Sequence, residues 1–282
     1  MFYIKRCNLK VIVKNFLNFD LRKVLSARCN LQRAKTYVLV VVGMICFANN
    51  VYATKFYPTN AEIKTFAQTL ATTYPTIVSY HELTTASKDS ALPVIALKIS
   101  DNTNATEDEP VWVFSGYIHG REALGYKSVE MLAQELASKY SVDENITRWV
   151  DGYEIWLVLS GNPVGYAENL RKNGPNTSSA QTSGVDLNRN WDFRWINGGE
   201  SSFRDDRFRG NSAASENEVS ALQTLYIDRQ PIYGATFHQG NEPDGGQVMR
   251  PWSSAASTPP DSAKLLEQAQ QLANWEYEAK QA

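Results

Sequence analysis

Three runs in this chain, VWVFSG (111–116), YEIWLVLS (153–160) and IYGATFH (232–238), are apolar almost from end to end. A strand with one wet face alternates apolar and polar side chains, so an unbroken run of this kind marks a strand covered on both faces. Covered strands need layers above and below, and the intervening sequence supplies them. Ile63, Phe66 and Leu70 share one helical face, as do Val129, Leu132 and Leu136, and Val219, Leu222 and Leu225. Thr59 with Glu62, and Ser215 with Glu218, have the spacing of capping boxes at the starts of the first and third of these helices. TIVSYHEL and LPVIALKIS read as two more strands, and residues 261–282 as a last helix. Strand and helix alternate, which predicts an α/β fold with a mixed, mostly parallel central sheet flanked by helices. Sites in such sheets form beyond the carboxyl ends of strands, where His119, Asn162 and His238 fall.

Charge divides the chain unevenly. Nine of the 28 Lys/Arg residues and one of the 30 Asp/Glu residues lie in residues 1–53, leaving 19 basic and 29 acidic groups in the rest. A body this acidic argues against a nucleic-acid surface. The basic segment leads into YVLVVVGMICFA, too short to span a bilayer comfortably, followed by Val51 and Ala53 in an A-x-A-like pattern. That layout predicts a signal peptide cut after Ala53, with a retained anchor as the second reading. The division is therefore residues 1–53 as basic region plus signal peptide and 54–282 as a single domain, exported to the periplasm or secreted, with no stable membrane partner after cleavage. Cys7, Cys29 and Cys46 all precede the cut. The mature body then has no disulfide and no thiol, and any metal it binds must be held by His and carboxylate.

His119 and Glu122 stand three apart in YIHGREALG, just past a strand end, and His238 ends another strand. A catalytic zinc takes three such protein ligands and leaves a fourth position open. An H-x-x-E pair alone is a weak signal, and a lone His beside an apolar run is more often a hydrogen-bonded structural residue. Other stretches add weight. Asn188 and Arg189 in GVDLNRNWDF suit a carboxylate, the guanidinium as a bidentate fork and the amide as a further donor. Arg171 in NLRKNG is suited to stabilise a developing oxyanion. Asp186 can orient a metal-bound histidine from its far nitrogen, or merely cap a turn. His81 reads as structural.

With these residues in view, the sequence from about Tyr74 onward resembles the zinc carboxypeptidases of peptidase family M14. HGRE, NPVGY, LRKN, GVDLNRNWDF, FRG with SENEV, and FHQG stand in the family's order. The resemblance implies one Zn2+ ion held by His119, Glu122 and His238, with Asp186 behind His119. It implies Arg121 and Arg171 as the groups on the substrate carbonyl and oxyanion, and Asn188 with Arg189 as the clamp on a C-terminal carboxylate. The implied activity is hydrolysis of C-terminal peptide bonds in peptide or protein substrates. A zinc deacylase or amidase acting on acyl-amino acids or cell-wall peptides, or a silent carboxylate-binding module, are the alternatives. The family's general-base glutamate and mobile tyrosine fall far enough past the third ligand to lie beyond Ala282. The expectation is therefore a chain that lacks the last strands of the sheet, binds zinc and hydrolyses little.

Overall fold

The computed structural model describes residues 2–5, 57–105, 107–239, 247–249 and, in part, 263–270. It divides into two compact units, residues 55–239 and residues 1–54 with 240–282. The proposed cut after Ala53 and the apolar run before it lie outside the described residues. Among the described residues no helix is long and apolar enough to cross a membrane.

The larger unit is a five-stranded mixed sheet with helices packed on it. Its strands are β1 (Val78–Thr85), β2 (Pro93–Ile99), β3 (Val111–Ser115), β4 (Glu154–Val158) and β5 (Tyr233–His238). They lie in the order β1-β2-β4-β3-β5. The β1–β2 and β2–β4 pairs are antiparallel, and β4–β3 and β3–β5 are parallel. The continuous apolar runs occupy the parallel part, as two-sided burial requires: Trp112, Val113, Phe114, Ile155, Leu157 and Val158 are all essentially inaccessible.

The helices are α1 (Asn60–Thr73), α2 (Ala123–Lys139), α3 (Glu144–Val150), α4 (Pro163–Ala167) and α5 (Asn217–Arg229). Thr59 and Glu62 form the expected capping box on α1. At α5 the expectation fails. Its N-cap is Glu216, no side chain caps it, and the Ser215 and Glu218 side chains bond elsewhere. One core cluster joins Val94, Val113, Ile118, Trp156 and Val158 to Val219, Leu222 and Leu225 of α5. Leu187 belongs to the same cluster, so the loop-rich middle is nailed to the core between Asp186 and Asn188.

In the smaller unit Phe2–Lys5 pairs antiparallel with Gln247–Met249. Helical backbone occurs within 263–270, where the sequence predicts the last helix.

Candidate metal centre

β3 and β5 are parallel neighbours, with Ser115 opposite Thr236. Their carboxyl ends therefore open on the same side, His238 as the last residue of β5 and His119 four residues past the end of β3. Glu122 N–H donates to the His119 carbonyl at 3.0 Å, closing a turn that brings Glu122 to the N-cap of α2. This tight stacking of turn on strand end depends on glycine. A Cβ on Gly125 would lie 2.6 Å from the Phe237 carbonyl oxygen and 2.7 Å from the Tyr117 nitrogen.

The result is a convergence of three buried side chains. His119 Nδ1 lies 2.9 Å from Glu122 Oε1, His238 Nδ1 lies 2.7 Å from Glu122 Oε2, and the two Nδ1 atoms are 3.1 Å apart. All the ligand atoms fall within 4.8 Å of one another. Two imidazole nitrogens at this separation cannot face each other with bare lone pairs; a shared proton or a cation must lie between them. Ligand atoms of a tetrahedral zinc with bonds of about 2.0 Å sit roughly 3.3 Å apart, so the residues fit such an ion with small adjustments.

The surroundings fix which nitrogen faces inward. His119 Nε2 lies 3.2 Å from Asp186 Oδ1, the arrangement in which Nε2–H donates to the carboxylate and Nδ1 is left for a metal. Asp186 Oδ1 also accepts from the Asn188 N–H at 3.0 Å, so the residue caps its turn and orients the histidine at once. Its Oδ2 takes Arg171 Nε and Nη2, both at 2.9 Å. Burial raises the Asp186 pKa, but the hydrogen bond from His119 and the charges of His119, Arg171 and Arg189 outweigh it and hold the carboxyl below its usual range. Glu122 behaves alike: burial opposes its charge, yet the bonds to His119 and His238 keep it well below the ordinary carboxylate range. Burial above all pushes His238 down to about 4, so its imidazole is neutral at pH 7, the form in which it binds metals.

Other expected residues take more scattered positions. Arg171 Nη1 reaches to 3.9 Å from Glu122 Oε1, beside the ligand cluster. Arg121 is anchored through its N–H to the Leu170 carbonyl at 2.9 Å, while its half-exposed guanidinium lies 3.7 Å from Asp206. Asn188 and Arg189 are partly exposed on a single 3-10 turn, Leu187–Arg189, with Arg189 Nη1 donating to the Asn188 carbonyl at 3.0 Å. His81 is structural as expected, its ring 4.8 Å from Trp156 and its Nε2 2.8 Å from Ser79 Oγ.

Two further contributors make contacts that the sequence does not reveal. Gln239 donates its N–H to Glu122 Oε2 at 3.1 Å, a backbone group that no side-chain motif reveals. Asn162 donates to the carbonyls of Ile118 and Arg171, at 3.0 and 3.4 Å, and so ties the metal turn to the Arg171 loop. Its position after a strand end is visible in the sequence, but its partners are not.

Fold and site together place a group that could hold a metal ion, two imidazoles and one carboxylate, at the carboxyl edge of a mixed α/β sheet. The family model for zinc carboxypeptidases, peptidase M14, matches residues 63–279, and the chain belongs to that family. Metallocarboxypeptidase A of Trichophyton tonsurans is 28% identical over 221 residues, covering 76% of this chain and 52% of the relative. Carboxypeptidase A1 of Sus scrofa is 33% identical over 188 residues, covering 64% and 43%. The chain thus spans about half the length of the curated relatives it matches. In fold it is similar to carboxypeptidase A from Helicoverpa armigera, with a TM-score of 0.68 at 21% identity over 87% of this chain and 61% of that one. It is also similar to thrombin activatable fibrinolysis inhibitor, with a TM-score of 0.67 at 19% identity over 85% and 60%.

Proposed function

We propose that the chain carries the metal centre of a zinc-dependent metallocarboxypeptidase, which removes the last residue of peptides or proteins bearing a free C-terminal carboxylate. The observation that carries this reading is the convergence of His119, Glu122 and His238, with Asp186 on the far nitrogen of His119. Zinc bound there supplies a Lewis acid and an acidified water. Arg171, held by Asp186 beside the ligands, is the group that meets negative charge developing on the scissile carbonyl oxygen. Arg121, between two ligands in sequence, is the second guanidinium assigned to the substrate carbonyl. Asn188 and Arg189 bind the terminal carboxylate as amide donor and bidentate fork. A carboxylate clamp on a rigid turn, set at a fixed reach from the metal, limits cleavage to the final peptide bond. Export belongs to the same reading, on the basic segment and apolar run before Ala53.

The reading is tested by zinc titration together with assays on matched peptides, one with a free C-terminus and one amidated. It expects one zinc per chain and peptide binding confined to the free acid, with the little release of a terminal residue that this chain gives confined to it as well. Tight zinc binding with equal handling of both peptides overturns the clamp, and internal cleavage of the amidated peptide overturns the exopeptidase assignment.

A further inference from the structure

Arg171 and the Asn188–Arg189 turn sit in a long segment with almost no regular structure. Packing of Leu187 fixes one point of it, and something else must fix the rest. Asn173, two residues past Arg171, has no exposed surface. Its backbone N–H donates to the Val185 carbonyl at 3.0 Å and its Oδ1 accepts from the Val185 N–H at 2.7 Å. This double bond pair clasps the two ends of the intervening loop, so that Arg171 and Asp186 emerge facing each other. The amide nitrogen of Asn173 donates to Glu216 Oε2 at 2.7 Å and to Glu218 Oε1 at 3.3 Å.

Glu216 extends the clasp to the clamp turn. Its Oε1 accepts from Ser215 Oγ at 3.0 Å, and Ser215 Oγ in turn accepts from Asn190 Nδ2 at 2.9 Å. The Glu216 N–H donates to Asn190 Oδ1 at 3.1 Å. Asn190 directly follows Arg189. Room for this contact comes from Gly210, in the left-handed region at φ 87°, where a Cβ would lie 2.6 Å from Asn190 Nδ2 and 2.7 Å from Ser215 Oγ. Lys88 Nζ lies 3.4 Å from Glu216 Oε2, and Ser87 Oγ donates to Glu218 Oε2 at 2.7 Å. Burial holds the Glu218 carboxyl above its usual range, with Glu216 adding to the effect. The residues that spell a capping box thus serve the loops of the site instead of the helix.

We propose that Asn173 and Glu216 are positioning residues of the metal centre: through one buried hydrogen-bonded chain they hold Arg171 against Asp186 and fix the turn that carries Asn188 and Arg189. The proposal rests on the reading above for the purpose of those groups, but the positioning itself has a readout that needs no zinc. In the full chain, the Nε–H of Arg171, bonded to a buried carboxylate, gives a resolved side-chain signal in proton–nitrogen NMR spectra, assigned by its loss in Arg171→Lys. Asn173→Asp sets a third carboxylate against Glu216 and Glu218. It is expected to abolish that signal and to weaken zinc binding about tenfold, at the lower end of what loss of a ligand's supporting partner costs. Asn173→Asp combined with Glu216→Gln restores a donor–acceptor pair across the same gap and is expected to recover both. If Asn173→Asp does not fold, Glu216→Ala replaces it, removing the acceptor without adding charge, with the same two losses expected. A variant that melts earlier but keeps the Arg171 signal and wild-type zinc affinity shows a purely structural role and overturns the proposal, as does a double variant that folds without recovery. Failure of the wild-type chain to take up zinc overturns the functional reading alone, because the Arg171 signal still decides the positioning.

Discussion

His119 performs two tasks on one ring: Nε2 is committed to Asp186, which leaves Nδ1 facing Glu122 and His238. The convergence of His119, Glu122 and His238 was legible from residue type and place, because His119 and His238 each stand at or just past a strand end and Glu122 lies one turn from His119. Asp186 was legible as a partner of His119, with a turn cap as the other reading, and its carboxylate meets both the His119 ring and the Asn188 N–H. The Asn173–Glu216 chain could not be read, since its partners are 43 residues apart and asparagine and glutamate in a polar loop carry no distinguishing pattern. His81 shows the converse case of a histidine with a structural task. Burial first, then the charges of Lys98 and Arg229, lower its pKa below 6.5 despite the opposing pull of Glu154. The unfolded chain therefore binds more protons there between its own midpoint and the lowered one. Stability contributed by His81 is present above pH 6.5 and lost as pH falls through the folded value. An NMR titration is expected to give His81 a midpoint below 6.5; a midpoint at or above that value contradicts the burial argument.

The strands and helices were legible because their signals are local: apolar runs for β3, β4 and β5, and apolar faces at helical spacing for α1, α2 and α5. The capping box at α1 formed and the one at α5 did not, although both have the same spacing. At α5 buried Asn173 and Asn190 and half-buried Ser87 compete for the same side chains, and buried polar partners outweigh a cap that water could replace. Where α2 meets the strand ends, sequence propensity also points the wrong way. Alanine gains up to about 1 kcal/mol over glycine inside a helix, yet a methyl on Gly125 would press on the backbone of Tyr117 and Phe237. Overpacking against backbone costs typically 1–3 kcal/mol. Gly125→Ala is therefore expected to destabilise the protein by roughly 1 kcal/mol or more, since the clash exceeds the propensity gain. Urea unfolding at fixed pH measures it; an unchanged or raised midpoint contradicts the close approach.

Across the whole larger unit, the parallel half of the sheet explains why residues more than a hundred positions apart meet: β3 and β5 run side by side, so His119 and His238 arrive at one edge. That edge carries most of the chemistry, while the antiparallel strands β1 and β2 contribute to the core and the far border. The α/β class and the side of the sheet that bears the site followed from the order of apolar runs. The antiparallel border did not, because a strand's pattern reports which faces are covered and not the direction of its neighbour. The proposed chemistry depends on a single cation being shared by two imidazoles and one carboxylate. The most direct test is a crystal structure of the zinc-loaded protein with anomalous diffraction measured at the zinc edge. One strong peak is expected, with His119, Glu122 and His238 as ligands at about 2.0–2.2 Å. A peak bound elsewhere, or none among those three side chains at saturating zinc, contradicts it.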